Sequence, residues 1–223
     1  MNHKPTLSLN ILEEAIKLDA FDAATAHKHM MPAHRGQFPD AGDPSEAGVL
    51  VLVYPDKRSE LQLVLTLRDD SLRGHSGQVS FPGGRRDPED HSFSATALRE
   101  TCEELGICDN SVKIIGELSK IYIPPSNFNV YPTVGYMTDT PEFRPNPQEV
   151  AEVFSVSLHD LLDSRFKREE DWLFQGFTVR IPFYAFQGHK VWGATAIMLS
   201  ELEHRLRFVL DQLNHPKFDS PRH

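Results

Sequence analysis

The stretch FPGGRRDPEDHSFSATALRETCEELGI, residues 81–107, joins a glycine turn to a strongly acidic helix. Pro82-Gly83-Gly84 permits a tight backbone turn, and the spacing beyond it predicts a helix over about 92–105. With Ala95 at zero and ~100° per residue, Leu98, Cys102 and Leu105 fall within about 80° of it, an apolar stripe expected to face a sheet. Glu100, Glu103 and Glu104 fall on the opposite side, within roughly 100° of one another. Clustered like charges repel at i,i+3 and i,i+4 spacing, and a helix C-terminus disfavours negative charge. A divalent cation reverses that sign. Mg²⁺ takes one or two protein carboxylates and completes its octahedron with water and phosphate oxygens. Glu100 and Glu104, one turn apart, can grip one ion, and Glu103 can reach a second or order the cluster. Arg99 can orient a carboxylate through a bidentate pair.

Outward from this segment, GVLVLVY (48–54) and LQLVLTL (61–67) read as buried strands joined by a polar turn, a hairpin. A Gly-rich segment (74–84) leads into the acidic helix. Further strands are expected near 112–122, 129–137, 150–156 and within 171–186. A Pro-rich loop covers 140–147, a short helix 157–163, and a closing helix about 194–213. This order predicts an α/β or α+β fold with a mixed sheet between helices. At the N-terminus, LSLNILEEAIKL (7–18) has mainly helical spacing, a His/Met/Pro-rich connector follows over 27–34, and 36–46 reads as a loop. The chain thus divides into an N-terminal helical arm (1–45) packed onto the body, a main domain (46–215) and a tail (216–223).

The 223 residues carry 23 Lys+Arg against 32 Asp+Glu, a net charge of −9, with 39 % hydrophobic and 25 % charged residues. That is an ordinary globular composition, acidic enough to argue against nucleic-acid binding. No apolar run approaches the ~20 residues of a membrane-spanning helix, so no membrane association is expected. The start reads as an amphipathic stretch with no apolar signal core, which makes a reducing cytoplasm the expected compartment. Cys102 and Cys108 form no disulfide framework and lack zinc-site partners. Cys102 reads as core, and no histidine spacing suggests a metal ligand.

Residues 84–107 resemble the Nudix box, G-x5-E-x7-R-E-U-x-E-E-x-G-U with U apolar. Arg99-Glu100, Glu103-Glu104 and Gly106-Ile107 match it. The segment from Gly84 to Arg99 is one residue longer than the pattern, Thr101 replaces an apolar residue, and either Glu89 or Asp90 can fill the first acidic position. Upstream, Leu65-Thr66-x-Arg68, Arg73, Gly77 and FPGG (81–84) keep the spacing of LLTxR[SA]x3Rx3Gx3FPGG, the extra motif of coenzyme A pyrophosphatases within that superfamily. Asp69 and Val64 depart from it. Downstream, YIPPS (122–126), PQEV (147–150) and WGATA (192–196) are also similar to that subfamily.

The resemblance implies a Nudix-type α/β/α sandwich with a catalytic loop-helix. It implies a Mg²⁺- or Mn²⁺-dependent pyrophosphohydrolase acting on the diphosphate of coenzyme A or its thioesters, and it leaves a homodimer open as the assembly. Glu100 and Glu104 are then metal ligands, with Glu103 a further ligand or the general base within the box. Glu149 and Glu152 are rival bases. Arg99 serves catalysis by orienting a carboxylate. Arg68 and Arg73 are expected to grip substrate phosphates, because a guanidinium fork suits their oxygens, and Gly83 and Gly84 to line the substrate side. His75-Ser76-Gly77 reads equally as an anion-binding turn or a plain one, and Trp192-Gly193 as the packed start of the last helix. Two other readings stand beside this one. The first is hydrolysis of ADP-ribose, NADH or another nucleoside diphosphate derivative. The second is a non-catalytic nucleotide-binding module of the same fold.

Overall fold

Strand β1 (Ser45–Pro55) runs through the centre of the molecule, and its alternation assigns the two faces of the sheet. Leu50, Leu52 and Tyr54 join an apolar cluster with Ala97 and Leu105, whereas Val51 and Val53 join a larger one with Leu12, Leu202 and Leu206. Successive strand side chains point to opposite faces, so the unbroken apolar run at 50–54 feeds two cores at once. The computed structural model describes residues 7–32, 42–69, 77–108, 111–174 and 176–215.

β2 (Leu61–Arg68) folds back antiparallel on the end of β1, with Val53 opposite Leu63, as the hairpin reading requires. Asp56 closes the turn, its Oδ1 accepting from the N–H groups of Arg58 and Glu60 at 2.8 and 2.9 Å. β7 (Phe128–Tyr136) lies parallel to β1 from Ser45 opposite Phe128 to Val53 opposite Tyr136. A parallel pair needs a long crossover. Here it carries β3 (Val79–Ser80), β4 (Gly83–Arg85), helix α3 (Phe93–Leu105), β5 (Lys113–Glu117) and β6 (Ile121–Ile123). β3 pairs with β2, β4 with the first half of β1, and β5 and β6 with β7. β8 (Val150–Ser157) adds to β2 and completes an eight-stranded mixed sheet.

Helix α3 packs on one face of that sheet, against β1, β4 and β7. On the other side lie α1 (Leu9–Ile16), α4 (Leu158–Leu162) and the long α5 (Gly193–Asn214), with α2 (Ala23–Lys28) docked on α5. A second, three-stranded antiparallel sheet is formed by β9 (Lys167–Phe174), β10 (Phe177–Phe186) and β11 (His189–Val191). The result is the mixed α/β fold with a sheet between helices that the sequence predicts. The long elements agree with the expected boundaries. The strand expected at 112–122 is two, β5 and β6, and the segment 74–84 contains β3 and β4. Strands of two or three residues are too short to show a period of two. Among the described residues no helix is long and apolar enough to cross a membrane.

The connector expected from His27 onward begins inside α2, where His27 is buried with its Nε2 2.7 Å from Glu201 of α5. Residues 33–41, the end of the expected connector and the first part of the expected loop, lie outside the described residues, and Ser45 and Glu46 at the end of that loop belong to β1. Glu201 is fully buried and also accepts from the Ser119 N–H at 3.1 Å, the Ser119 hydroxyl at 3.0 Å and Arg205 Nε at 2.9 Å. Arg205 Nη1 in turn donates to the carbonyls of Ala15, Ile16 and Leu18 at the end of α1. Burial opposes the charge on Glu201, yet these donors hold its carboxyl below the usual carboxylate range. One glutamate therefore joins both N-terminal helices to the body. Removing one partner of such a buried network leaves the others uncompensated, at a cost of about 3–5 kcal/mol. Glu201→Ala is expected to lose stability of that order in urea unfolding. A change below about 1 kcal/mol would show that the apolar contacts of α1 and α2 suffice without it.

Candidate active site

Helix α3 starts at Ser92, whose Oγ accepts from Ala95 N–H at 3.1 Å, and ends at Gly106, left-handed with φ 69°. Both caps are ordinary for their residue types. The face it buries differs from the expected one. Thr96, Ala97, Thr101, Glu104 and Leu105 are buried, whereas Ala95, Leu98 and Cys102 are only half-buried. The helix is thus rotated by about 120° from the apolar stripe, at ~100° per residue. Two threonines account for the difference. Their hydroxyls turn back onto the helix, Thr101 Oγ1 to the Ala97 carbonyl at 2.6 Å and Thr96 Oγ1 to the Ser92 carbonyl at 3.3 Å, so they pack as small apolar groups. A helix with small side chains on one face can approach a strand closely, and a Cβ at Gly48 of β1 would stand 2.4 Å from the Phe93 carbonyl oxygen.

The rotation carries Glu104 inward, and the expectation that it lies on an exposed face is corrected here: the residue is 3 % exposed. Its Oε2 accepts from the Gly83 N–H at 3.3 Å, and among the described residues Arg68 faces it at 3.9 Å. Burial pushes the Glu104 carboxyl up to about 8, against the pull of Gly83 and Arg68 and with the Glu100 and Glu149 charges adding to it. Glu100 lies flat on the next residue: a Cβ at Gly84 would meet its carboxylate at 2.4 Å. Burial raises the Glu100 carboxyl as well, opposed by Arg99 and reinforced by Glu103 and Glu149. The two glycines of β4 therefore form a floor against which Glu100 and Glu104 sit.

Arg99 organises the outer side of this cluster. Its Nε and Nη2 grip both oxygens of Asp90 at 3.1 and 2.9 Å, and Nη2 also donates to the Arg85 carbonyl at 3.0 Å. Nη1 donates to Glu100 at 2.9 Å and to Glu103 at 3.3 Å. The open choice between Glu89 and Asp90 is decided by geometry: Asp90 is buried and paired, Glu89 exposed. Arg99 hydrogen bonds, opposed by burial, hold the Asp90 carboxyl well below the usual range. Glu103, with its side chain 53 % exposed, stays on the Arg99 side.

Of the two rival bases, Glu149 lies close enough for its charge to raise both Glu100 and Glu104, whereas Glu152 is exposed and 3.2 Å from His189 on β11. The loop before β8 holds Glu149 in place. The Asn146 N–H donates to the Glu104 carbonyl at 2.8 Å, and the Asp69 N–H, just past Arg68, donates to the Glu149 carbonyl at 3.0 Å. The β2–β8 register shifts at Leu67/Arg68, an irregularity of the kind that re-aims side chains beside functional sites. Asn146 was legible only as part of a loop, since Asn-Pro signals a turn and nothing about a side-chain contact.

Arg73, His75 and Ser76 lie outside the described residues. Trp192 caps the start of α5 and meets Trp172 edge-on at 5.0 Å, the packing role expected of it. The reading of Cys102 as a core thiol is corrected: it is half-buried and disulfide-bonded to Cys108 across the Gly106 cap. The apolar-stripe argument had no means of pairing it.

Among the described residues no three carboxylate, imidazole or thiol groups already close around one point. The donor set still fits a hard divalent cation, which needs only one or two protein carboxylates. Glu100 and Glu104 share the Gly83–Gly84 floor, and burial disfavours the negative charge of each, a cost that a bound cation would remove.

An acidic loop-helix is thus docked on a mixed sheet, with the Glu100 and Glu104 carboxylates gathered beside Gly83 and Gly84. Residues 44–175 match the NUDIX domain, and the chain belongs to the NUDIX family. A protein of Photorhabdus laumondii subsp. laumondii named "uncharacterized Nudix hydrolase NudL" is 38 % identical over 145 residues, 65 % of this chain and 77 % of its own. A Yersinia pestis protein of the same name is 37 % identical over 145 residues, 65 % and 72 % of the two chains. The crystal structure of a Nudix hydrolase from M. smegmatis, RenU, covers 82 % of this chain and 94 % of its own with a TM-score of 0.51 at 16 % identity, a likeness of fold alone. The protein is accordingly a Nudix hydrolase acting on phosphorus-containing anhydrides, and such hydrolases generally use divalent metal ions.

Because the folded-state pKa of Asp90 is depressed, its stabilisation is present above the unfolded value of about 3.9 and is lost as pH falls through the folded one. Asp90→Asn should cost about 1.5–3 kcal/mol at pH 7, the worth of hydrogen bonds to a charged partner. In unfolding experiments the gap to the parent protein should narrow below about pH 4. Glu89→Gln should leave stability unchanged within about 0.5 kcal/mol. Equal effects of the two substitutions would remove Asp90 from the network.

Proposed function

We propose that the chain is a Mg²⁺- or Mn²⁺-dependent pyrophosphohydrolase that cleaves the diphosphate of coenzyme A or its thioesters to 3′,5′-ADP and 4′-phosphopantetheine or its acyl derivative. The observation that carries this reading is the approach of Arg68, from the upstream motif, to within 3.9 Å of Glu104, from the acidic helix. Two residues 36 positions apart in the chain, one from each motif, thus meet at one carboxylate, which favours a single diphosphate site over two unrelated features.

A diphosphate resists hydrolysis because its negative oxygens repel a nucleophile. A divalent ion held by Glu100 and Glu104 would neutralise that charge and lower the pKa of a coordinated water. Glu149 accepts the proton of the attacking water. It is preferred to Glu103, whose oxygens Arg99 already engages. The water oxygen bonds to one phosphorus, the bridging P–O bond breaks, and the second phosphate leaves with the bridging oxygen. Arg99, braced by Asp90, keeps Glu100 aimed at the floor of the site. Arg68 stands where it can exchange its distant contact with Glu104 for a phosphate oxygen. Arg73 belongs to the same motif and is assigned the other substrate phosphates.

Glu104→Gln should keep the fold and lower kcat by about a hundredfold or more, since metal-assisted charge stabilisation is worth several kcal/mol. Glu149→Gln should lose about 10²–10⁴-fold, and Glu103→Gln much less. Product chromatography over coenzyme A, acetyl-coenzyme A, ADP-ribose and NADH tests the substrate. Preference for ADP-ribose by about a hundredfold in kcat/KM, close to 3 kcal/mol of transition-state binding, would replace the coenzyme A reading with its first alternative.

A further inference from the structure

We propose that Asn146 is a positioning residue that holds the Glu149 carboxylate in its proton-accepting orientation and couples it to the C-terminal end of α3. This inference rests on the reading of Glu149 as the general base.

Asn146 uses its main chain and its side chain for different tasks. The main-chain N–H donates to the Glu104 carbonyl at 2.8 Å, while its own carbonyl accepts from the N–H groups of Glu149 and Val150 at 3.0 and 2.9 Å. These contacts fix where the loop lies, whatever the side chain. The side-chain Oδ1 accepts from the Gln148 N–H at 3.1 Å, which closes a local turn. Nδ2 donates to Glu149 Oε1 at 2.9 Å. With one oxygen tied, the carboxylate has one preferred rotation, and its second oxygen, which accepts from no donor among the described residues, is left to receive a proton.

The chemistry of the amide suits this task. A general base must be aimed, and a displacement of about 1 Å can cost of order a hundredfold in rate. An asparagine N–H is a neutral donor, so it orients the carboxylate without the strong charge stabilisation that an arginine or lysine would bring. Arg99 does the opposite for Glu100, where alignment of a ligand is the need. The segment containing Asn146 is also joined to α3 by the Arg144 N–H, which donates to the Leu105 carbonyl at 2.8 Å. The base and the ligand-bearing helix therefore share one backbone frame, and Asn146 is the residue at which that frame reaches the side chain of Glu149.

Asn146→Asp separates the two side-chain tasks. Aspartate can still accept from the Gln148 N–H, so the turn survives. It cannot donate to Glu149, and it places a second carboxylate there. With the full chain, Mg²⁺ and coenzyme A, Asn146→Asp should lower kcat by about tenfold to a hundredfold. KM and the Mg²⁺ concentration for half-activation should stay within about twofold, and the melting temperature should be unchanged. Placed in the Glu149→Gln background, the same substitution should lower kcat no further, because the group it acts through is already gone. A loss of kcat that persists undiminished in that background, or a rise of KM alone with kcat intact, would overturn the proposal and leave the hydrolase reading standing. Full activity of Glu149→Gln would overturn it too, by removing Glu149 as the base. No hydrolysis of any diphosphate by the parent protein would instead sink the functional reading, and this inference with it.

Discussion

A carboxylate removed from water must find donors or a counter-charge, and Glu104 has one glycine N–H and an arginine at 3.9 Å. It is placed there by the packing of α3 on the sheet. Thr96, Ala97, Thr101 and Leu105 bury one helical face, and Glu104 lies on that face. Apolar and small-residue burial, roughly 25 cal/mol per Å², is what holds the helix down, and the unfavourable glutamate is carried with it. Glu100 follows, pressed against Gly84 one strand residue further on. The free energy that docks the helix thus keeps two carboxylates close together and short of positive charge, a condition that a hard cation relieves.

Glu201 is the instructive contrast. It is as deeply buried as Glu104, yet it accepts from His27, Ser119 and Arg205 and its carboxyl lies below the usual range. Saturated, it is a structural joint between the N-terminal helices and α5. Among the described residues Glu104 accepts from the Gly83 N–H and faces Arg68 at 3.9 Å, and burial pushes its carboxyl up. The two glutamates differ in how fully their oxygens are satisfied among the described residues, and a buried group with a strongly shifted pKa is the kind found at functional sites. Arg99 lies between these cases: its guanidinium is spent on Asp90, Glu100, Glu103 and a carbonyl, so it fixes geometry and leaves Glu104 uncompensated.

The long elements were legible because their periodicity is strong. β1, β2, β7, β8, α3 and α5 stand close to where alternation or helical spacing puts them. The short pieces were not: β3, β4 and β11 carry two or three residues each and owe their pairing to the strands beside them. The acidic helix was legible as a helix, but its rotation was not, because a hydropathy stripe counts Leu98 and Cys102 as inward and threonine as neutral. The hydroxyls of Thr96 and Thr101 are satisfied within the helix, a fact visible only in three dimensions. Cys102 and Cys108 likewise appear as separate thiols until the Gly106 turn brings them together.

By itself the amino-acid order determined a mixed α/β architecture, an acidic helix and the membership of Arg99, Glu100, Glu103 and Glu104 in one motif, since all of these depend on neighbours within a few turns of chain. Which carboxylate is buried, that Asp90 and not Glu89 braces Arg99, and that Glu149 and not Glu152 joins the cluster were decided by the tertiary structure. Each of those outcomes depends on the approach of segments tens of residues apart, and local spacing holds no record of that approach.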